Sequence, residues 1–339
     1  MTTKKQLQDI LLGIAIGDAY GAGIEFEDRD WLKANIDFSK FVMRRNDVIK
    51  VLNNKGIEVD NYNEWDYTDD TEMTIGCVKT IISGEGISEE TLMKYWTLEY
   101  EQDKIEKGIG RHGHGSMRWV YNSEKSIEEI KDFQRNRPNP GNAPTMRAIP
   151  FGLLPSEQIN EYATINAMAT HPHPKAVASS ILVARLTEFL IIKKRKKTDA
   201  YDYCKEHLKN IDQEFLKKFE LVEQLPSPNM LQEPDYEILC GKQPIIKPWY
   251  PEGIKGLPSD AMQTALSIYY FVKHADTAFE GLKQAIWLGG DVDSVASVVT
   301  GILAGLYGIE SLPNYMLENV EGRDKLIKLS QKWYEYLIK

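Results

Sequence analysis

Two short acidic segments, Thr68-Asp69-Asp70-Thr71 and Gly289-Gly290-Asp291-Val292-Asp293-Ser294, hold the residues of this chain best suited to chemistry. Together they offer four carboxylates and several hydroxyls. All are hard oxygen donors, the ligand set for a pair of Mg²⁺ or Mn²⁺ ions. Each segment falls where the pattern predicts a helix to begin, so helix capping accounts for one acid in each. Two acids in each exceed that need, and an unpaired charge at an apolar helix start is costly. Asp-x-Asp at a loop-to-helix junction aims both carboxylates at one ion. The paired glycines allow close backbone approach or positive φ.

Other segments carry weaker signals. In Gly13-Ile14-Ala15-Ile16-Gly17-Asp18-Ala19-Tyr20-Gly21-Ala22-Gly23-Ile24-Glu25-Phe26, Glu25 is expected at the mouth of the metal site and Asp18 in support beneath it. A Gly-terminated helix followed by a turn is the plainer account. Gly113-His114-Gly115-Ser116 offers backbone N–H groups and a hydroxyl suited to phosphate oxygens. Gly141-Asn142-Ala143-Pro144-Thr145-Met146-Arg147 combines a turn, an amide and a guanidinium. His171 and His173 lack the remaining ligands of a zinc set, so His171 reads as a pocket wall or helix-end group. The basic run Lys193 to Lys197 reads as a solvated helix end.

The elements that must position these residues are helices. Leu7, Ile10, Leu11 and Ile14 share one helical face, as do Met73, Cys77 and Ile81, and Leu326, Leu329, Trp333 and Leu337. Ala163 to Met168 and Ala176 to Ile192 read as two helices broken by His171-Pro172-His173-Pro174. Ser126 with Glu129, Asp260 with Gln263, and Thr277 with Glu280 stand at capping-box spacing. After the second acidic segment come Ala296, Ser297, Gly301, Ala304, Gly305 and Gly308, small residues that permit tight helix packing. Alternating strand patterns are scarce. The expectation is a single all-α domain over 1–339, with long loops near 28–66, 133–157 and 224–258. The third loop reads as a surface excursion.

Bulk properties narrow the class. With 339 residues, 42% hydrophobic and 27% charged, the chain reads as soluble and globular. Its longest charge-free stretch, Ser294 to Ile309, carries Ser, Thr and Gly and falls short of the ~20 apolar residues of a membrane span. The N-terminus lacks the apolar run of a secretory signal. Cys77, Cys204 and Cys240 form no CxxC pair, so a reduced, cytoplasmic protein is expected. A net charge of −9 excludes a general nucleic-acid binder.

Taken in order, Gly17-Asp18 with Gly21 and Glu25, Thr68-Asp69-Asp70-Thr71, Gly141-Asn142 with Met146-Arg147, Thr170-His171, and Gly289 through Ser294 resemble the ADP-ribosylglycohydrolase family. The resemblance runs from about Leu7 to Gly308. It implies a compact orthogonal multi-helix fold with a binuclear metal cleft, loaded with two Mg²⁺ or Mn²⁺ ions. It implies hydrolysis of the bond joining ADP-ribose to a modified side chain, most often arginine and in some members serine. Carried over by position, Thr68, Asp69, Asp70, Asp291, Asp293 and Ser294 would ligate metal. Glu25 matches the acid on a mobile flap. Gly113, Gly115, Ser116, Asn142 and His171 would line the ADP-ribose cleft. The chain departs from the family in three places: Ser294 stands where Thr is frequent, Ala143-Pro144 stiffens a glycine-bearing loop, and His114 stands where Tyr is common.

The expected reaction is attack of a metal-activated water on the anomeric carbon, with Asp69, Asp70 or Glu25 taking the proton. The expected partners are an ADP-ribosylated protein and a cognate ADP-ribosyltransferase or toxin, with no membrane. The competing readings are a phosphate-ester or nucleotide hydrolase, hydrolysis of serine- or nucleic-acid-linked ADP-ribose, a non-catalytic ADP-ribose binder, and a purely structural helical protein.

Overall fold

Gly13, Gly17 and Gly21 recur every four residues along one face of the opening helix, Lys4–Ala22. In the computed structural model this face lies against the helix Val292–Tyr307 at backbone contact. A Cβ at Gly17 would stand 2.2 Å from the Ala296 carbonyl oxygen, and one at Gly21 would stand 2.4 Å from the Asp293 Cα. The small residues Ala296, Gly301, Ala304 and Gly305 line the other side of this seam or flank it, all buried. Such a contact needs the absence of side chains on both helices, which the spacing of four supplies.

The structure describes residues 2–45, 48–53, 55–107, 114–247 and 250–339. Around the central pair pack Asp69–Ser83, Ala261–His274, Ala278–Ile286 and Arg323–Leu337. Their apolar faces join one hydrophobic core, in which Trp96 and Trp333 are fully buried. Leu7, Ile10, Leu11 and Ile14 belong to it, as do Met73, Cys77, Ile81, Leu326 and Leu329. Thr3 with Gln6 and Ser126 with Glu129 form complete capping boxes, and Asp260 and Thr277 cap their helices through Gln263 N–H and Glu280 N–H. The helix Ile159–Met168 turns at His171 into Pro174–Thr187, which continues as a π-helical turn, Glu188–Ile192. The fold is all-α, with only two small hairpins among the described residues.

The long loops expected from the sequence hold more structure than anticipated. Segment 28–66 contains the helix Arg29–Asn35 and the antiparallel pair Lys50–Leu52 with Glu58–Asp60. Segment 133–157 contains Ala143–Met146 and the 3₁₀ turn Ile149–Leu153. Segment 224–258 is only partly on the surface. Its helix Glu233–Cys240 buries Tyr236, Leu239 and Cys240. Arg29, itself buried, pins that helix through Glu233 at 2.8 Å and lies 3.6 Å from the centroid of the Tyr236 ring. The hairpin Ile245–Lys247 with Tyr250–Ile254 is its outward part. Elements of three to eight residues are too short for a periodicity to register, which is why the sequence conceals them. The Lys193–Lys197 run leaves its helix into solvent, with Lys197 held by the Ala275 carbonyl and Asp276. Among the described residues no helix is long and apolar enough to cross a membrane.

Candidate active site

Neither acidic segment caps its helix through the N-cap side chain. Thr68 and Asp291 occupy the N-cap positions of Asp69–Ser83 and Val292–Tyr307, and neither makes a side-chain cap hydrogen bond. The first helix is capped from a distance by Asp18 of the opening helix. One Asp18 oxygen accepts from the Thr68 N–H at 2.9 Å and hydroxyl at 2.7 Å, and the other from the Thr71 N–H at 2.9 Å and hydroxyl at 2.6 Å. That exchange frees Asp69 and Asp70 from local duties. At the second helix, Gly289 and Gly290 adopt φ of +78° and +76°, which bring the chain against Lys255 and Leu257. Cβ atoms there would strike the Lys255 and Leu257 carbonyl oxygens at 2.5 and 2.2 Å.

The seam between the two central helices carries the two acidic segments together. Asp18, Asp70 and Asp293 place carboxylate oxygens within 4.8 Å of one another, and so do Glu25, Asp291 and Asp293. Asp293 belongs to both triads. Ser297 donates to Asp70 at 3.0 Å, and the Asn142 amide donates to Asp291 at 3.3 Å. Ser294 N–H donates to Asp293 at 2.8 Å, and the Ser294 side chain lines the cavity beside Asp69. Glu25 stands where the opening helix unwinds, 3.6 Å from the Arg45 guanidinium. Its segment is stitched to the glycine pair by Phe26 N–H to the Gly290 carbonyl at 2.8 Å, with Phe26 at φ +60°.

Burial, then the neighbouring carboxylates, push the Asp69, Asp70 and Asp293 carboxyls well above the usual range. Burial raises Asp18 as well, against the four hydrogen bonds that favour its anion. So much like charge in one small volume is unfavourable without a cation. The donors are carboxylates and hydroxyls, the hard oxygens that Mg²⁺ and Mn²⁺ take. The residues present therefore fit a divalent centre.

The acids form the floor of a cavity of about 320 Å³. Gly115, Ser116, Asn142 and His171 line its walls; Gly113 lies outside the described residues. Gln134, 3% exposed, bridges two of these walls, donating to the Ser116 hydroxyl at 3.4 Å and accepting from the Gly141 N–H at 3.2 Å. His114 is buried, its Nε2 2.7 Å from Glu72 and its Nδ1 3.3 Å from the Tyr121 hydroxyl. This ties the Gly115-Ser116 loop to the helix that carries Asp69 and Asp70. His173 caps the Pro174–Thr187 helix through the Lys175 N–H, and among the described residues neither it nor His171 belongs to a group of side chains able to hold metal. Sequence reasoning missed Arg137, Phe133 and Trp119, which also line the cavity. Phe133 and Arg137 lie at and beyond the end of the helix Ile127–Arg135, one turn apart, the only local sign that they share a face.

Fold and cleft together define an all-α protein with a buried acidic site open to a small-molecule pocket. The ADP-ribosylglycohydrolase family profile matches residues 1–338. The chain belongs to the ADP-ribosylglycohydrolase family, whose chemistry is hydrolysis of linkages to ADP-ribose. It is 23% identical to ADP-ribosylhydrolase ARH3 of Xenopus tropicalis over 350 aligned positions, covering 96% of this chain and 93% of the relative. It is 24% identical to the ADP-ribosyl-[dinitrogen reductase] glycohydrolase of Rhodospirillum rubrum, covering 91% and 88%. Among solved structures, an ADP-ribosylglycohydrolase-related protein complex superposes with a TM-score of 0.64 at 18% identity, covering 98% of each chain, which supports the fold.

Proposed function

We propose that this protein is a metal-dependent hydrolase that releases ADP-ribose from a modified protein side chain, arginine first among the linkages. The observation that carries the reading is a single cavity that gathers Glu25, Asp69, Asp70, Asp291, Asp293 and Ser294 beneath walls of amide, hydroxyl and imidazole groups. Thr68, Asp69, Asp70, Asp291, Asp293 and Ser294 would hold two Mg²⁺ or Mn²⁺ ions. The Thr68 hydroxyl donates its proton to Asp18, so its lone pairs remain for a cation. Bound there, the ions supply Lewis acidity to the ribose hydroxyls and the attacking water.

The remaining work falls to side chains. Glu25 is the carboxylate held by a turn rather than a helix, and it takes the proton of the attacking water. Asp69 and Asp70 are the alternative bases. As the bond from the anomeric carbon to the side-chain nitrogen breaks, positive charge develops on the sugar, and the surrounding carboxylates stabilise it. The proton taken by Glu25 passes to the leaving nitrogen, and the water's hydroxyl remains on the ribose. Arg137 lines the same cavity and suits the diphosphate. Phe133, 53% exposed at the same wall, offers a ring for the adenine. The three cysteines are buried and free, which suits the reducing cytoplasm, where a cognate ADP-ribosyltransferase or toxin would supply the substrate.

The test is incubation of the protein with an arginine-ADP-ribosylated peptide and Mg²⁺, with free ADP-ribose followed by mass spectrometry. Parallel samples carry EDTA or Asp70→Asn, and others present serine-linked and nucleic-acid-linked ADP-ribose or a phosphate ester. Release from the arginine peptide that both controls abolish is the expected result. Release only from another linkage moves the substrate, and release of inorganic phosphate without ADP-ribose overturns the reaction class.

A further inference from the structure

Arg147 is fully buried, yet among the described residues every polar partner of its guanidinium is neutral. Its Nε donates to the Asn166 side-chain oxygen at 2.7 Å, and its Nη2 to the Asn166 carbonyl at 3.0 Å and the Thr170 hydroxyl at 2.8 Å. Its Nη1 approaches Met73 Sδ at 3.4 Å, and the whole group lies 3.7 Å from the centroid of the Trp96 ring. A buried cation with no carboxylate among its hydrogen-bond partners is expensive to keep, and burial pushes its pKa down to about 10, with Asp69 acting on it only through space. Such a group calls for a purpose. The Thr170 hydroxyl carries the contact onward, standing 2.7 Å from His171 Nδ1.

The donor inventory settles the direction of that contact. A guanidinium has only N–H donors, so the Thr170 oxygen accepts from Arg147. The Thr170 oxygen keeps a second lone pair, but among the described residues its hydroxyl proton has no acceptor other than His171 Nδ1, so satisfying that buried donor makes Nδ1 the acceptor. A neutral imidazole whose Nδ1 accepts carries its proton on Nε2. Burial first, then Arg147 and Arg137, hold the His171 pKa well below its ordinary value, so the ring stays neutral. His171 lines the cavity, and the chain opposite its Nε2 is Gly141, where a Cβ would stand 2.9 Å away. Glycine leaves that nitrogen approachable.

Resting on the function proposed above, we infer that Arg147 and Thr170 are positioning residues that lock His171 as a neutral Nε2–H donor aimed at an acceptor oxygen of bound ADP-ribose. The opposite tautomer would present a lone pair to the oxygen-rich ligand and repel it. The lock thus fixes both the ring's orientation and the sign of what it offers.

The test uses the whole protein with ¹⁵N-labelled histidine. Two-bond ¹H–¹⁵N spectra of the ligand-free protein report which ring nitrogen carries the proton, with His171 assigned by His171→Asn. ADP-ribose affinity of the Mg²⁺-loaded protein is measured by calorimetry. Wild type and Thr170→Ser should both show an unprotonated, hydrogen-bonded Nδ1 and bind with Kd values within about twofold. Thr170→Val should lose the Nδ1 signature and bind about tenfold more weakly. A protonated Nδ1 in wild type overturns the lock and needs no variant that folds. A Thr170→Val protein with an unchanged spectrum and affinity overturns it too. A wild type with the expected tautomer but no affinity for ADP-ribose upholds the lock and overturns the ligand.

Discussion

Asp293 carries more of the site than any other side chain, because it alone belongs to both carboxylate triads. Asp293→Asn removes a charge from a repelling cluster while keeping the shape. The variant should lose at least about tenfold to 100-fold in divalent-ion affinity and in turnover, as losing a ligand or its direct support does. Its metal-free melting temperature should stay level or rise, since the deleted charge is unfavourable there. Calorimetric Mn²⁺ titration, an ADP-ribose release assay and a thermal scan read the three quantities, and wild-type-like turnover would remove Asp293 from the site. Phe133 belongs to the same scale. Phe133→Ala should weaken ADP-ribose binding by about fivefold or more, the loss of one base–aromatic stack, with turnover at saturating substrate kept. A change in saturated turnover with affinity intact would place the ring elsewhere in the reaction.

At the level of elements, the glycine seam is what brings two distant acidic segments into one site. Gly21 abuts the backbone of Asp293 itself, so the packing of a helix pair and the position of a metal-site carboxylate are one constraint. Gly21→Ala should cost about 1–3 kcal/mol of stability by overpacking. It should weaken divalent-ion binding at the same time. Gly84→Ala is the control. Gly84 ends the Asp69–Ser83 helix at φ +76° with open space around its Cβ position. Its substitution should cost about 1 kcal/mol of backbone strain with metal binding unchanged. Denaturant unfolding paired with metal titration distinguishes the two, and equal metal affinity in both variants would separate the seam from the site.

On the scale of the whole molecule, the acid cluster couples folding to pH and to metal. The Asp69, Asp70 and Asp293 carboxyls are raised in the folded state, so that state holds protons the unfolded chain has released. Their contribution to stability is fully present below the ordinary Asp pKa and is lost as pH rises through the raised folded values. Metal-free protein should therefore lose melting temperature from mildly acidic to neutral pH. Mg²⁺ at about 100 times its Kd should restore roughly 2.7 kcal/mol for each ion bound at pH 7.5, or about 4 °C per ion for a chain of this length. The gain should shrink at pH 5, where protons compete for the same oxygens. Calorimetric scans at both pH values, with and without Mg²⁺, read this out, and a metal-induced shift that grows toward low pH would contradict the linkage.

Much of this was legible in the chain. Helical periodicity exposed the main helices, because each buries one face and repeats its apolar residues at that period. The doubled acids at Thr68-Asp69-Asp70-Thr71 and Asp291-Val292-Asp293 stood out because two carboxylates exceed what a helix start needs. The small residues after Asp293 announced a close helix contact, though not that Gly13, Gly17 and Gly21 were its other half. Gln134 gave no signal, and Phe133 and Arg137 gave only their one-turn spacing, since a polar or aromatic residue on or just after a short helix looks ordinary until the wall it faces is known. Glu72 holding His114, and Arg147 orienting His171 through Thr170, were equally hidden. The sequence by itself determined which helices form and which residues have chemistry to offer, because those follow from local periodicity and residue type. The tertiary structure alone decided which of them meet, because contacts between distant segments arise from packing, and no local pattern encodes a partner.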